Sequence, residues 1–327
     1  MRRVSLVALA VLCYLGAATA TGVAGTIQAW GNNAQGQCNV PSGDDFVAIA
    51  AGDWHGLALR QDGSIAAWGM NTDHSGAVIG QVSDTPTGTG YVAIAAGQWH
   101  SLAIRADGCL VAWGGQEADV RSVPTGNDFI AVAAGGAHCL AIHADGSIVA
   151  WGEDRYGQVS GVPTGYDFIA IAAGDGHSLA MRQDGSLVAW GSTEAGVSST
   201  PTSTGFQAIA AGGWHNVAID INGSLVAWDR NTRGECNVPL GGGFTAIDAS
   251  SHGFHTVALR EDGTLAAWGD NTWGQCDVPG GQFEAVGAGL AYSMALTPEP
   301  ATLSLLALGG AALVARRRGR AQAGGVG

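Results

Sequence analysis

The sequence predicts an all-β protein, a seven-bladed β-propeller whose ring is closed by half-repeats from the two ends of the chain. Three observations predict it. A block of the type FVAIAAGDWHGLALRQDGSIAAWG (Phe46 to Gly69) recurs six times. In every copy the histidine precedes the tryptophan by 13 residues: His55, His100, His138, His177, His215 and His255 lead to Trp68, Trp113, Trp151, Trp190, Trp228 and Trp268. Successive copies are spaced by 45, 38, 39, 38 and 40 residues, so length varies only in the connections. A fixed period of this size marks a solenoid, propeller or array.

The chain ends select the ring. Ala285 to Leu296 (AVGAGLAYSMAL) repeats the first half of the block with Tyr292 in the histidine's place. The missing second half stands near the start, as Gly25 to Gly31 (GTIQAWG), with Trp30 in the tryptophan's place. Complementary halves must lie side by side. An open array would need polar caps instead.

Within a block, short apolar runs bounded by turn residues predict strands. Val47 to Ala51 is the first, Gly56 to Arg60 the second and Ser64 to Trp68 the third. The second and third join at Asp62-Gly63, repeated as Asp107-Gly108, Asp145-Gly146, Asp184-Gly185, Asn222-Gly223 and Asp262-Gly263. Glycine accepts positive φ there and the Asp carboxylate can bond nearby backbone. A weaker fourth strand is expected near Gly36 to Pro41, proline suiting an edge. Alternation puts Leu57 and Leu59 on one face and Gly56 and Ala58 on the other, so large and small faces nest as stacked blades. The register tryptophans are expected between blades, with their N–H groups partnered.

Both ends carry an address. Residues 1–20 read as a secretory signal: Arg2 and Arg3, an apolar stretch from Val4 to Leu15, and Ala18-Thr19-Ala20 with cleavage after Ala20. Residues 24–296 form the propeller and 297–327 a tail. In the tail Pro298, Glu299 and Pro300 precede an apolar stretch, Ala301 to Ala315, and then Arg316, Arg317 and Arg318. That order resembles the PEP-CTERM sorting signal of Gram-negative bacteria. The resemblance implies a short apolar helix held transiently in the inner membrane, with the arginines cytoplasmic, as the positive-inside rule requires. It also implies cleavage by an exosortase near the Pro-Glu-Pro, after signal peptidase has acted at the other end. The expected destination is the cell surface or the extracellular space. The alternatives are a permanent tail anchor, for which fifteen apolar residues are short against the ~20 of a stable span, and a disordered tail.

All 14 basic residues are arginines. Residues 22–298 hold eight of them against 26 acidic residues, a net charge of −18. Such a surface repels phosphate backbones and argues against nucleic-acid binding. Without Cys13 the mature chain has five cysteines, an odd number. Cys38, Cys236 and Cys276 share one register, about a sheet spacing apart and beyond disulfide reach, so buried free thiols are expected.

The pattern AAGxxHSLAL–DG–VAWGxNxxGQ, as in AAGQWHSLAI (Ala95 to Ile104) and AAGDGHSLAM (Ala172 to Met181), resembles the regulator of chromosome condensation repeat. The resemblance covers about residues 24–296 and implies a seven-bladed propeller. The family's best-known member is a chromatin-binding guanine nucleotide exchange factor. An acidic, exported chain meets neither chromatin nor a small GTPase, so the fold carries over without that activity.

The six repeat histidines sit one per blade, too far apart for one metal ion. Each is expected to bond backbone of a neighbouring turn. No metal, cofactor or catalytic constellation is expected. His252 and His255 are close in sequence, with no acidic partner nearby. The residue before each repeat histidine varies, and Trp54, Trp99, Trp214 and Phe254 could form an aromatic crescent at one channel mouth beside Asp53 and Gln98. Aromatic platforms with polar neighbours suit sugar rings, although these residues could equally fill gaps between blades. The long loop after Trp68, with Asp73, His74 and Asp84, is a second candidate surface.

The reading favoured is a monomeric, non-catalytic module binding a protein or polysaccharide of the envelope or matrix. The alternative is a polysaccharide-active enzyme with its site in the channel, which would need converging carboxylates or histidines. Nucleotide exchange ranks last.

Overall fold

The computed structural model describes residues 18–19, 24–115, 118–194 and 199–298. Ala20, Glu299, Pro300, Arg316, Arg317 and Arg318, on which the processing expectations rest, lie outside them. The described residues are almost entirely strand and turn, with one short helix, Ala118–Arg121. Among them no helix is long and apolar enough to cross a membrane.

Six contiguous blades, 46–69, 91–114, 129–152, 168–191, 206–229 and 244–269, repeat one three-stranded antiparallel unit. In the first blade these strands are Phe46–Ala51, His55–Arg60 and Ile65–Gly69. The Asp-Gly hairpin forms as its chemistry requires: Gly63 has φ +79° and the Asp62 carboxylate accepts from Ser64 N at 2.8 Å. A further unit joins the two ends. Ala285–Ala288 pairs with Tyr292–Pro298, which pairs with Gly25–Gly31 from Gly25↔Pro298 to Gly31↔Tyr292. The ladder thus includes Pro298, the first residue of the Pro-Glu-Pro. A single pair, Gly25↔Phe46, connects this composite unit to the first blade.

The expected fourth strand is absent: Gly36 to Pro41 is a turn. Side chains occupy the donors that a ladder would need. Gln37 Oε1 accepts from Gln35 N (2.9 Å) and Asn33 Oδ1 from Cys38 N (2.9 Å). Gln158 and Gln275 close the equivalent turns through Tyr156 N and Trp273 N, each at 2.8 Å. These side-chain bonds compete with sheet pairing and win.

Apolar layers lie between blades, large side chains against small. Leu57 and Leu59 of the first blade meet Ala103 and Trp113 of the second, and Leu140 and Ile142 of the third meet Ala180 and Trp190 of the fourth. Six of the seven register tryptophans bond their N–H to the segment preceding their blade: Trp68 to Gln37 O (2.9 Å), Trp113 to Gln81 O (3.1 Å), Trp151 to Val120 O (3.0 Å), Trp190 to Gln158 O (2.9 Å), Trp268 to Glu235 O (2.8 Å) and Trp30 to Gln275 O (3.0 Å). For Trp228 the corresponding segment, 195–198, lies outside the described residues. The described cysteines are all free. Only Cys139 is fully buried; Cys38, Cys109, Cys236 and Cys276 are half-buried, less enclosed than expected.

The repeat histidines form a belt, and their partner corrects the expectation of a backbone bond. Each Nε2 reaches the residue that follows the histidine of the next blade. His55 bonds Ser101 Oγ (2.9 Å), His100 Cys139 Sγ (3.2 Å), His138 Ser178 Oγ (3.0 Å), His177 Asn216 Oδ1 (3.0 Å), His215 Thr256 Oγ1 (3.0 Å) and His255 Ser293 Oγ (2.9 Å). Ser178 and Ser293 donate their own hydrogens to Gln158 O and Gln275 O, so they accept from histidine. The proton therefore sits on Nε2 in His138 and His255, as it does in His177, which faces the Asn216 carbonyl oxygen; all six imidazoles are neutral at pH 7. Burial lowers their pKa values to about 3 for His138 and His215 and about 4 for the other four.

The belt closes differently at the seam. The residue after His55 is Gly56, which has no side chain to accept a bond, and the incoming residue is Tyr292, whose hydroxyl donates to the His55 carbonyl at 2.7 Å. Gly56 is required here because a Cβ would lie 2.3 Å from Trp68 Cζ2. Gly56→Ala is expected to cost about 2 kcal/mol or more through overpacking, read as a lower urea midpoint. An unchanged midpoint would contradict this account of the seam.

One blade breaks a second rule. The residue after the third strand's tryptophan is a positive-φ glycine in the other units, as at Gly69 (φ +97°), but in the fifth blade it is Asp229 (φ +80°). Its carboxylate accepts from Asn216 Nδ2 at 2.7 Å, a bond that holds Asn216 Oδ1 toward His177. Burial raises the Asp229 pKa to about 7.

Candidate functional site

His55 pairs with Gly69 and Ala51 with Gly56. The first-strand loops, the residues before the histidines and the loops after the tryptophans therefore emerge at one end of the sheets, and the Asp-Gly turns at the other. The two candidate surfaces of the sequence thus belong to one face.

They meet in a cavity of about 320 Å³ lined by Asp73, His74, Ser75 and Ile79 from the long loop and by Gln98, Trp99 and Ala137 from the second and third blades. That volume lies at the low end of ligand pockets, ~300–1,000 Å³. Its aromatic wall is a T-shaped pair, the His74 and Trp99 rings 4.8 Å apart and 87° to one another. The loop is stapled by Asp73, whose carboxylate accepts from Ser75 N, Ser75 Oγ and Ala77 N. The small Ala137, where other blades carry an aromatic residue, leaves the space open.

The residues of the candidate crescent do not gather at one site. Trp99 and Gln98 line the cavity. Trp54 and Trp214 are half-buried on the same face but do not line it. Phe254 is covered by two guanidinium groups, Arg230 and Arg233, each 4.8 Å from its ring centroid, so it offers no open platform. In the fourth blade an aromatic arrives from elsewhere: Gly176 makes room for Tyr156, whose Cδ2 stands 2.7 Å from where a Cβ would be.

Asp53 is not at the rim. It is 1 % exposed and belongs to a cluster that joins three blades. His252 Nδ1 lies 3.1 Å from Asp53 Oδ2 and His252 Nε2 lies 2.9 Å from Asp175 Oδ1. Ser250 Oγ donates to Asp53 Oδ1 at 3.1 Å. The sixth blade thus reaches an imidazole between carboxylates of the first and fourth. Burial opposes its charge, but Asp53 and Asp175 outweigh burial and raise its pKa to about 10, so His252 is an imidazolium at neutral pH. This corrects the expectation that His252 lacks acidic partners, which folding supplies from residues far away in sequence. The signal that could have found it is a length. In five blades the histidine follows the start of the first strand by nine positions (Phe46 to His55, for instance); in the sixth it follows by eleven, Phe244 to His255. The two extra residues let Ser250, Ser251 and His252 extend inward.

Among the described residues no group of three His, Cys, Asp or Glu is placed to hold a metal ion. The belt imidazoles are each bonded to the next blade, and the acids facing His252 are both ion-paired.

The regulator of chromosome condensation (RCC1) repeat matches residues 46–75, 91–117, 129–158, 168–196 and 245–275. The PEP-CTERM protein-sorting motif matches residues 296–318. No curated protein matches. Among solved structures the chain is similar to Prp20p from Saccharomyces cerevisiae, described with its binding to Gsp1p and histones, at 18% identity and a TM-score of 0.67 over 89% of this chain and 94% of that one. It is similar to human WBSCR16 at 18% identity and a TM-score of 0.64, over 83% and 98%. It is also similar to the ectodomain of the Physcomitrella patens receptor kinase CR4 at 23% identity and a TM-score of 0.63, over 77% and 70%. At these identities the likeness is one of fold.

Proposed function

We propose that this chain, a propeller of regulator of chromosome condensation repeats ending in a PEP-CTERM sorting motif, is an exported, non-catalytic module whose loop face binds a polysaccharide of the cell envelope or matrix. The sorting motif implies export, transient membrane anchoring and processing by an exosortase. The observation that carries the binding reading is the cavity at Trp99, where an aromatic pair and the polar Gln98 and Ser75 surround a space open on the loop face. Aromatic faces pack on the C–H faces of sugar rings while amide and hydroxyl groups bond their hydroxyls.

Binding is favoured over catalysis by the state of the titratable groups. General acid–base chemistry needs a free acid or base within reach of a substrate. Here the belt histidines are buried and neutral, and Asp53 and Asp175 are committed to His252. Nucleotide exchange is disfavoured by export and by the charge of −18 on residues 22–298.

The test is a glycan array with the mature chain, followed by titration of its best ligand against Trp99→Ala. Loss of an aromatic anchor typically costs about 2 kcal/mol or more, so affinity is expected to fall ~30-fold. Undiminished binding by the variant would remove the cavity from the proposal. Binding of an envelope protein but no glycan would favour a protein partner instead.

A further inference from the structure

We infer that the Trp99 cavity selects sugars without acid groups and binds units bearing a free amine most tightly. The inference rests on the sugar-binding reading above and adds the chemical class of ligand. It follows from the charges around the cavity and from how the His252 cluster adjoins it.

Gly136 lines the cavity, and its bare Cα faces the cluster: a Cβ there would lie 2.7 Å from His252 Cε1 and 2.9 Å from Asp175 Oδ1. The cluster therefore abuts the cavity wall with no side chain of Gly136 between. Its balance is acidic, because two carboxylates share one imidazolium. Asp53 is sealed in, whereas the Asp175 side chain, behind Gly136, is 33% exposed. The Asp73 carboxylate, which the turn of its own loop engages, also lines the cavity.

Carboxylates thus flank the cavity at Asp73 and at the Asp175 end of the cluster, inside a protein that is itself strongly acidic. A uronate or phosphate entering it meets uncompensated repulsion over distances shorter than the ~8–10 Å screening length. A neutral ring does not, and an ammonium group is attracted. At the Arg230–Phe254–Arg233 stack two cations converge, but Asp270 pairs with Arg233 there and Glu235 and Asp229 stand beside it, so it is not a net positive site. The inward edge of Tyr91–Ala96, which pairs with Ala18–Thr19, has no feature that selects another occupant.

The experiment is calorimetric titration of the mature chain with equal-length oligomers of glucosamine, N-acetylglucosamine, glucose and glucuronate, at 20 mM and 500 mM salt and at pH 6, where the amine is charged. The expected order is glucosamine first, the neutral sugars about 5-fold or more weaker, which is about 1 kcal/mol, and glucuronate without measurable binding. High salt should erase most of the glucosamine advantage and leave the neutral sugars unchanged. Asp175→Asn should bring glucosamine to parity with the neutral sugars without weakening those; if it does not fold, the salt dependence decides. Glucuronate binding as tightly as the neutral sugars, or a glucosamine advantage insensitive to salt, would overturn the inference while leaving the sugar-binding reading intact. Absence of binding to every oligomer would overturn both.

Discussion

Lowering the pH from 7.5 to 4.5 is expected to unfold the propeller, and the belt histidines are the cause. Each of the six has a folded-state pKa near 3 or 4 against ~6.5 when unfolded. A depressed pKa contributes stability that is complete above the unfolded value and is lost as the pH falls toward the folded one. At pH 5 the loss is about 2 kcal/mol for each imidazole. Six of them lose on the order of 10 kcal/mol, comparable with the whole stability of a typical domain. The tautomer explains why the belt resists protonation. With Nε2 already donating, a second proton must go to Nδ1, and the Nδ1 atoms of His55, His138, His177, His215 and His255 are buried with no acceptor.

Two carboxyls act in the opposite sense. Burial raises both Asp229 and Asp248 to about 7, so their contribution is complete below ~4 and is lost as the pH rises through 7. They offset a minority of the histidine effect. The measurement is the melting temperature by circular dichroism at half-unit pH steps, expected to fall steeply below pH 6.5. A flat profile down to pH 5 would contradict the neutral, buried belt.

How much of this was legible in the sequence depends on the distance over which each feature is encoded. The constant offset from His55 to Trp68, and from its five counterparts, encodes one hairpin within thirteen residues, and the strands lie where the pattern put them. Gly25–Gly31 and Ala285–Leu296 lie at opposite ends of the chain, yet each is half of a known repeat, so their pairing could be read. The turn at Gly36 to Pro41 was misread because its proline and apolar residues suit an edge strand, while the competing bonds come from Gln37 and Asn33 side chains. The belt's acceptors occupy one register, Ser101, Cys139, Ser178, Asn216, Thr256 and Ser293. Only three-dimensional stacking shows that each serves the preceding blade. The substitution of Tyr292 for histidine makes sense only beside Gly56, over two hundred residues away. For the site, Trp99, Gln98 and the Asp73–His74 loop were each identifiable, but not their meeting in one cavity. The two extra residues before His255 marked the sixth blade as different, but the partners Asp53 and Asp175 could not be read, because no local pattern joins three blades across a ring.

That link sets the second large effect. His252→Ala is expected to destabilise the chain by about 3–5 kcal/mol, since it strands the Asp53 charge in a site 1 % exposed. The size of the loss measures the orphaned carboxylate rather than the attraction alone, and a second substitution separates the two. Asp53→Asn in the His252→Ala background removes the buried charge and keeps a group that can accept from Ser250. The double variant should therefore recover a large part of the loss, with coupling between the two positions of at least about 1 kcal/mol. The pH dependence supplies an independent check of opposite sign to the belt. His252 has a raised pKa, so its contribution is complete below ~6.5 and is lost as the pH rises through about 10. The wild-type chain should accordingly lose stability between pH 8 and 10.5 to a greater extent than His252→Ala, which has no imidazolium to discharge. Urea midpoints for the wild type, His252→Ala, Asp53→Asn and the double variant at pH 8 and 10.5 test both statements. Equal alkaline losses in wild type and variant, or a double variant no more stable than His252→Ala, would show that the imidazole joins the three blades by packing and not by charge.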